Sequence, residues 1–165
     1  MNVDRRAFLG FGGAALVAGV VLTLPGRDGG ADARAGDFPF RLTDAQWRQR
    51  LNAAQYATLR QAATERPFSS PLDHEHRRGI FHCAGCGQPL YSSTTKFDSG
   101  TGWPSFFRPL PHAIVTRADH SLFEARTEVL CARCGGHLGH VFDDGPRPTG
   151  LRYCMNGVAM TFQAS

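Results

Sequence analysis

Hydrophobic and polar residues follow two different periods along this chain. Between residues 42 and 63, in LTDAQWRQRLNAAQYATLRQAA, apolar positions recur at nearly helical spacing, namely at Trp47, Leu51, Ala54 and Leu59. Thr43 or Asp44 suits the N-cap of a helix here, and Asn52 marks a point at which the pattern can divide in two. The region therefore predicts one helix or two short ones.

Short apolar runs replace the helical period after ERPFSSP, a segment with two prolines. Turn-forming residues separate these runs, as they do between the strands of small β-proteins. The runs are RGIFHC, QPLYSS, HAIVTRAD, SLFEARTEVLC, HVFDD, LRYCMN and VAMTF. At 165 residues the chain fits a single domain, and the pattern predicts a mainly β fold of antiparallel strands preceded by short helices.

The N-terminal stretch has the layout of an export signal. Arg5 and Arg6 form a pair, and residues 7–26 carry no charge at all. The sequence ADARA at residues 31–35 then offers two small-residue A-x-A cleavage sites. An arginine pair followed by an apolar stretch resembles a twin-arginine signal.

These features predict a cleaved signal peptide over residues 1–35 and a mature domain over residues 36–165 that is exported to the periplasm. An uncleaved membrane anchor is the alternative, because about twenty uncharged residues could just span a bilayer. Frequent glycine and the A-x-A sites favour cleavage, so contact with the membrane is expected only during export. The net charge is +4 without a dense basic run, which predicts no nucleic-acid partner.

Four of the five cysteines form two C-x-x-C pairs, CAGC and CARC, each followed by glycine: Cys83 and Cys86, then Cys131 and Cys134. Two such turns brought together by a β fold supply four thiolates in a tetrahedron. Gly87 and Gly135 permit the tight backbone that each turn needs. The pairs predict one structural zinc ion.

Other uses of these cysteines fit the sequence less well. Disulfides would suit an oxidising compartment, but twin-arginine cargo folds before transport and can bind zinc in the cytoplasm. A redox-active pair would leave the second pair unexplained. A site built from the second pair with His137 and His140 would leave two residues between Cys134 and His137, against roughly a dozen in a zinc finger.

The fifth cysteine, Cys154, lies in LRYCMN, which reads as a strand. A period of two places Arg152, Cys154 and Asn156 on one face. A guanidinium and an amide beside a thiol favour its thiolate, which is the nucleophilic form. A buried, inert cysteine is the alternative, and the local sequence leaves both open.

Further polar and aromatic residues lie upstream, in SGTGWPSF and GHLGHVFDDGP: Trp103, His137, His140, Asp143 and Asp144. A histidine near a reactive cysteine can protonate a substrate oxygen, and a carboxylate can fix the tautomer of that histidine. Taken singly, each histidine could instead be a loop residue bonded to backbone, and Trp103 could be a core residue.

Together these segments resemble the type-B methionine sulfoxide reductases, which act on the R epimer at sulfur. The resemblance covers residues 42–162 and rests on TERPFSS, GIFHCAGCGQPLYSSTTKFDSGTGWPSFF and CARCGGHLGHVFDDGPRPTGLRYCMN, in that order. It implies two antiparallel sheets, called a β-tent, with zinc on the four paired cysteines and away from the active site.

The resemblance also implies the roles of the site residues. Cys154 would be the nucleophile and Arg152 would stabilise its thiolate. The polar surroundings would be His137, His140, Asp144 and Asn156, and the substrate-binding residues would be Trp103 and Phe142. In this chemistry Cys154 attacks the sulfoxide sulfur, His140 or His137 protonates the oxygen, and Cys154 becomes a sulfenic acid.

One position departs from the family pattern. Many members read SGCGWPSF and use that cysteine to resolve the sulfenic acid as a disulfide, whereas this chain has Thr101 there. With four cysteines assigned to zinc, none remains to resolve Cys154. An external reductant, thioredoxin-like or another thiol, is therefore expected to reduce the sulfenic acid directly.

The predicted function is thiol-dependent reduction of methionine-R-sulfoxide in oxidised proteins or peptides. A zinc-ribbon binding module with a structural Cys154 is the alternative from another class, and a general thiol oxidoreductase is a third. A bare zinc ribbon needs neither a polar face around Cys154 nor histidines beyond its ligands. A general oxidoreductase would need a partner for Cys154.

Overall fold

The computed structural model describes residues 38–121 and 125–165, so the predicted signal peptide lies outside the described residues. The helical region forms two short helices, α1 (Asp44–Arg50) and α2 (Ala53–Gln61). Thr43 caps the first and Asn52 the second, each in a capping box in which a glutamine side chain returns a hydrogen bond. The predicted division of the helical region at Asn52 is confirmed, because the Asn52 side chain caps the start of a second helix.

One apolar position of the helical pattern was assigned wrongly. Trp47, Leu51 and Leu59 are buried as expected, but Ala54 is exposed and Tyr56 is buried in its place. The helical spacing was counted continuously across Asn52, whereas the new cap at Asn52 resets the helical phase before α2. No helix within the described residues is long and apolar enough to cross a membrane.

Nine strands within the described residues form two antiparallel sheets, which confirms the predicted fold class. The smaller sheet has the order β2-β1-β9, with strands β1 (Gly79–Cys83), β2 (Pro89–Ser92) and β9 (Met160–Ala164). The larger has the order β3-β4-β8-β7-β6-β5, with strands β3 (Lys96–Phe97), β4 (Ser105–Phe106), β5 (Ile114–Asp119), β6 (Arg126–Cys131), β7 (His137–Phe142) and β8 (Arg152–Met155).

Aromatic side chains join the two sheets in the core. Tyr91 from the smaller sheet stacks on Phe106 from the larger at a centroid distance of 4.3 Å, and Phe81 meets the same ring edge-on at 4.9 Å. All three rings have no exposed surface. The Tyr91 hydroxyl also donates to the sulfur of Met155 at 3.2 Å. This packing fixes β8 against the smaller sheet.

Strand order determines the neighbours of Cys154. β8 lies between β4 and β7, so Cys154 pairs with Ser105 on one side and with His140 on the other. The two-residue strands β3 and β4 were not predicted, because two residues are too few for a recognisable period. Their short pairing nevertheless brings the segment of Thr101 and Trp103 beside β8.

Candidate active site

A small cavity of about 140 Å³ opens beside Cys154. Its walls come from β6, β7, β8 and the residue after it, the segment before β4 and the segment after α2. The lining residues are Thr64, Trp103, Arg126, Gly139, His140, Phe142, Cys154 and Asn156. Five of these are residues predicted for the site from the sequence: Trp103, His140, Phe142, Cys154 and Asn156. The cavity has room for about one amino-acid side chain.

Arg152 faces Cys154 on the same side of β8, as predicted. Its guanidinium forms a two-pronged ion pair with Asp144, with both N–O distances at 2.8 Å, and lies 4.4 Å from the centre of the Phe142 ring. The positive charge of Arg152 and a hydrogen bond from it both lower the pKa of the Cys154 thiol. Asp144 and Phe142 therefore hold the guanidinium in place.

Arg152 thus acts on the Cys154 thiol in the predicted direction, but burial has the larger effect. Burial raises the pKa of Cys154 above its ordinary value, and hydrogen bonds from Thr101, Ser105 and Arg152 offset only part of that effect. The sequence shows which polar groups flank the cysteine but not how much water the fold removes from it. Cys154 rests as a thiol.

This protonation state has a measurable consequence. We expect the rate at which iodoacetamide alkylates Cys154 to rise from pH 7 to beyond pH 9, because only the thiolate reacts and its pKa is raised. Arg152→Met removes a positive charge and should shift the profile to still higher pH. Site-resolved mass spectrometry reads the rate, and a rate already maximal at pH 7 would contradict the account.

A row of hydroxyl groups leads to the sulfur of Cys154. Thr101 Oγ1 lies 3.9 Å from Cys154 Sγ and 2.8 Å from the hydroxyl of Ser99, which lies 2.8 Å from that of Ser105. Ser105 donates onward to the carbonyl of Trp103 at 3.0 Å. Thr101 is thus held where it contacts the reactive sulfur.

His137 and His140 lie on one face of β7 although they are three residues apart. In a regular strand this odd separation would place them on opposite faces. The pairing of β6 with β7 shifts register between Val129 and Leu130, and the extra residue turns both rings to the same side. Their ring centroids are 5.4 Å apart, edge to face.

Each histidine has its own carboxylate, and neither carboxylate is Asp143 or Asp144. His137 Nδ1 lies 2.7 Å from Glu128, and His140 Nε2 lies 2.8 Å from Asp119. The suggestion that one of the neighbouring aspartates fixes a histidine tautomer is therefore wrong. Asp144 follows β7 and meets Arg152 on the antiparallel β8, whereas Glu128 and Asp119 lie on β6 and β5 on the other side.

Both carboxylates are ionised and are shared with arginines. Burial acts to raise the pKa of Glu128, yet hydrogen bonds from His137 and Arg117 hold it below its ordinary value. Hydrogen bonds from Ser121 and His140 hold the pKa of Asp119 well below its usual range, and Arg126 adds to them at 2.7 Å. An ionised carboxylate only accepts, so His137 Nδ1 and His140 Nε2 are the donors.

This arrangement fixes the form of His140. Burial lowers its pKa despite the opposing effect of Asp119, so the ring is neutral at neutral pH. With Nε2–H directed to Asp119, Nδ1 is the nitrogen that can accept a proton. Nε2 of His137 is buried and has no hydrogen-bond partner within the described residues.

Asn156 lines the cavity, and its side-chain amide bonds to the backbone of Glu65 and Leu138. Its oxygen accepts from the backbone of Glu65 at 2.9 Å, and its nitrogen donates to the carbonyl of Leu138 at 3.1 Å. The carbonyl of Glu65 in turn accepts from the indole of Trp103 at 3.2 Å. The sequence indicated that the Asn156 amide donates to the Cys154 thiolate. Among the described contacts the amide instead bonds to backbone and so positions the cavity wall that includes Trp103.

Sequence reasoning missed several residues that build this site: Thr64, Glu65, Asp119, Arg126 and Glu128. One of them carries a signal that was available. Glu128 interrupts the apolar run at the end of β6, and a charge in such a run requires a buried partner. The others are assembled by loop and hairpin geometry, which a single sequence does not reveal.

The four paired cysteines form a second cluster. Their sulfurs all lie within 4.8 Å of one another and are buried, and none of the four residues lines the cavity beside Cys154. The sulfur pairs Cys83–Cys134 and Cys86–Cys131 are 3.7 and 3.5 Å apart. A disulfide would need about 2.05 Å, so the disulfide alternative is excluded.

The geometry of the cluster fits a tetrahedral metal ion. Zinc–sulfur bonds of about 2.3 Å place the sulfurs of a tetrahedron about 3.8 Å apart, close to the observed separations. The two knuckles share one hydrogen-bond pattern, in which Gly87 donates to Cys83 and Gly135 to Cys131, both at 2.8 Å. Both glycines have positive φ, as predicted for the tight turn after each C-x-x-C pair.

Comparison with known proteins places this site in a family. The SelR domain model matches residues 51–164. A peptide methionine sulfoxide reductase MsrB of Bradyrhizobium diazoefficiens is 56% identical over 134 residues, which is 81% of this chain and 96% of the relative. The chain belongs to the MsrB family.

Other MsrB relatives are similarly close. Proteins of the same name from Agrobacterium fabrum and Thiobacillus denitrificans are 52% and 54% identical to this chain. The alignments cover 73% of this chain in both cases, and 90% and 92% of the relatives. The family resemblance stated from the motifs is thus confirmed.

Proposed function

We propose that this chain reduces methionine-R-sulfoxide, carried in oxidised proteins or peptides, to methionine. The observation that carries the proposal is a single thiol, Cys154, in a side-chain-sized cavity with an aromatic wall and a neutral histidine. Relatives that share most of the chain are named peptide methionine sulfoxide reductase MsrB. The restriction to the R epimer comes from the family resemblance.

The walls of the cavity suit a methyl sulfoxide. Trp103 and Phe142 present apolar surface to the methyl group, and the sulfoxide oxygen is a strong hydrogen-bond acceptor that needs a polar neighbour. His140 lines the same cavity and pairs directly with Cys154 across β7 and β8. The substrate sulfur would then face Cys154, with its oxygen towards His140.

The first step transfers oxygen between two sulfurs. His140 takes the proton of the Cys154 thiol at Nδ1, and the thiolate attacks the sulfoxide sulfur. The proton then passes to the sulfoxide oxygen, which ends on Cys154 as a sulfenic acid, while the substrate leaves as methionine. Cys154 is oxidised by two electrons and the substrate sulfur is reduced by two, so the step balances.

The second step restores the thiol from outside the protein. Thr101 contacts Cys154 at the position of the usual resolving cysteine, and the four remaining cysteines are in the metal cluster. A thiol of a small molecule or a thioredoxin-like protein condenses with the sulfenic acid, releasing water and forming a mixed disulfide. A second thiol resolves that disulfide and frees Cys154.

The cluster of four cysteines would hold one structural zinc ion. The buried sulfurs, their separations and the matched knuckles support this part of the proposal. Cys83 ends β1 of the smaller sheet and Cys86 follows it, whereas Cys131 ends β6 of the larger sheet and Cys134 follows it, so the ion would tie the two sheets together. Zinc bound there contributes to folding and takes no part in the oxygen transfer.

Export to the periplasm is the final part of the proposal. Its support is the arginine pair, the uncharged stretch and the A-x-A sites of residues 1–35. Membership of the MsrB family disfavours the alternative, a zinc-ribbon binding module with a structural Cys154. Such a module would not explain a cavity that gathers Cys154, His140 and two aromatic residues.

A single turnover without reductant tests the proposal. We expect the R epimer of a methionine sulfoxide peptide to be reduced once per chain and to leave one oxygen atom on Cys154. The S epimer should leave the mass of the protein unchanged. Absence of reduction with either epimer would reject the function.

A further inference from the structure

A larger groove lies beside the cavity and shares a wall with it. The groove has a volume of about 660 Å³ and runs between α2, the turn at Pro71–His74 and the start of β9. Residues 64–70, TERPFSS, are called the ridge here, because Thr64 lines both spaces and Glu65, Ser69 and Ser70 line the groove. The ridge is one of the motifs that carry the family resemblance, yet the proposed chemistry uses none of its side chains.

Phe68 is an unusual residue within this ridge, directly before the groove-lining residue Ser69. Among residues 38–121 and 125–165 it is the one large apolar side chain that is exposed, at 66%. Its backbone has φ of +59°, a left-handed conformation that costs energy for a residue with a bulky side chain. Solvent exposure and backbone strain both disfavour this arrangement, so the local structure must enforce it.

Gly102 supplies that enforcement next to the active site. Its carbonyl accepts a hydrogen bond from the Phe68 backbone at 2.7 Å, and a Cβ at Gly102 would lie 2.8 Å from the Phe68 ring. Gly102 is flanked by Thr101, which contacts Cys154, and by Trp103, which lines the cavity. The exposed ring is thus anchored at the cavity rather than placed by chance on the surface.

The chemistry of the groove indicates what it binds. Its lining includes the apolar side chains Ala57, Leu72, Val158, Met160 and Phe162. The lining contains one ionisable group, Glu65, whose carboxylate already accepts hydrogen bonds from the backbone of Gly157 and Val158 at 2.5 and 2.9 Å. An uncharged apolar side chain is the occupant that this surface would stabilise.

The size of the cavity explains why a second site is needed. A space of about 140 Å³ holds the side chain of methionine sulfoxide but not the main chain of the polypeptide that carries it. That main chain must lie outside the cavity, whose lining includes Thr64 of the ridge and Trp103, the neighbour of the Gly102 that contacts Phe68. We propose that Phe68 and the groove form a subsite for an apolar residue that flanks methionine sulfoxide in a polypeptide substrate.

This inference rests on the proposed function, and its test compares three substrates for the full-length chain. They are N-acetyl-methionine-R-sulfoxide methylamide, a nonapeptide with one methionine-R-sulfoxide flanked by leucines, and the same peptide flanked by serines. We expect the leucine peptide to have a kcat/KM about tenfold above the serine peptide, since partial burial of one leucine supplies a gain of that order. The effect should be in KM.

Variants of the subsite separate this role from a structural one. Phe68→Ser should reduce the preference for the leucine peptide to less than about threefold, and Phe68→Leu should retain most of it. Val158→Thr keeps the volume of the groove wall but adds a hydroxyl. It should weaken the preference for the leucine peptide without any change at Phe68. Activity on the methylamide should stay within about twofold of wild type in all three, because these side chains do not line the cavity.

Two results would overturn the inference while leaving the function intact. One is equal activity of wild type on the leucine and serine peptides. The other is a preference that survives Phe68→Ser, together with a concentration-dependent dimer in analytical ultracentrifugation that the same variant dissociates. In that case a second copy of the chain covers the ridge. Loss of activity on all three substrates would instead reject the proposed function.

Discussion

Cys154→Ser is expected to lower kcat/KM for a methionine-R-sulfoxide peptide by at least about 10³-fold, because the attacking sulfur is lost. A serine hydroxyl at this position has a much higher pKa than the thiol, and His140 is neutral and not a base strong enough to remove its proton. None of the other four cysteines can substitute, since all are buried in the cluster of paired cysteines and none of them lines the cavity.

The same variant should keep its fold. Cys154 is partly buried, and serine retains the hydrogen bonds that reach it from Thr101 and Ser105 with a smaller atom. We expect the free energy of unfolding to change by less than about 1 kcal/mol. Steady-state kinetics with dithiothreitol as reductant and denaturant titration measure the two effects. More than a tenth of wild-type activity in a folded Cys154→Ser would show that Cys154 is not the nucleophile.

Cys86→Ser is expected to have the largest effect on stability. It removes one of four sulfur ligands, and the ion that joins the two sheets would be lost or held weakly. Structural zinc contributes folding free energy of about 10 to 16 kcal/mol in small zinc-finger peptides, so we expect a loss of at least about 3 kcal/mol here. The metal content should fall from one zinc per chain towards none.

Cys154→Ser is the matched control for this experiment, because it makes the same chemical change at a cysteine outside the cluster. Elemental analysis and thermal unfolding of both variants separate the two roles. A Cys86→Ser protein with wild-type stability would reject the zinc proposal. Loss of zinc from Cys154→Ser would show that the cluster and the active site are not independent.

The sequence supported the strands and the metal cluster because both depend on local signals. C-x-x-C spacing followed by glycine determines a knuckle whatever the surrounding fold, and Gly87 and Gly135 have the expected positive φ. Strand periodicity likewise placed Arg152 on the same face as Cys154. In each case residues close in the sequence supply the relevant contacts.

The parts that could not be predicted depend on register and burial. Glu128 and Asp119 reach the histidines through a bulge between β6 and β7 and through the β5–β6 hairpin, neither of which leaves a mark in one sequence. The raised pKa of Cys154 reflects how completely the fold excludes water, which flanking residues do not determine. The position of Phe68 depends on a hydrogen bond to Gly102, far along the chain.

The central claim is that Cys154 acts alone, takes the oxygen of methionine-R-sulfoxide and depends on another molecule for electrons. Intact-protein and peptide mass spectrometry after one turnover without reductant tests it most directly. The account predicts one added oxygen atom, located on Cys154 and trapped by dimedone, after the R epimer and not after the S epimer. A protein lighter by two hydrogens, with Cys154 in an internal disulfide, would contradict it.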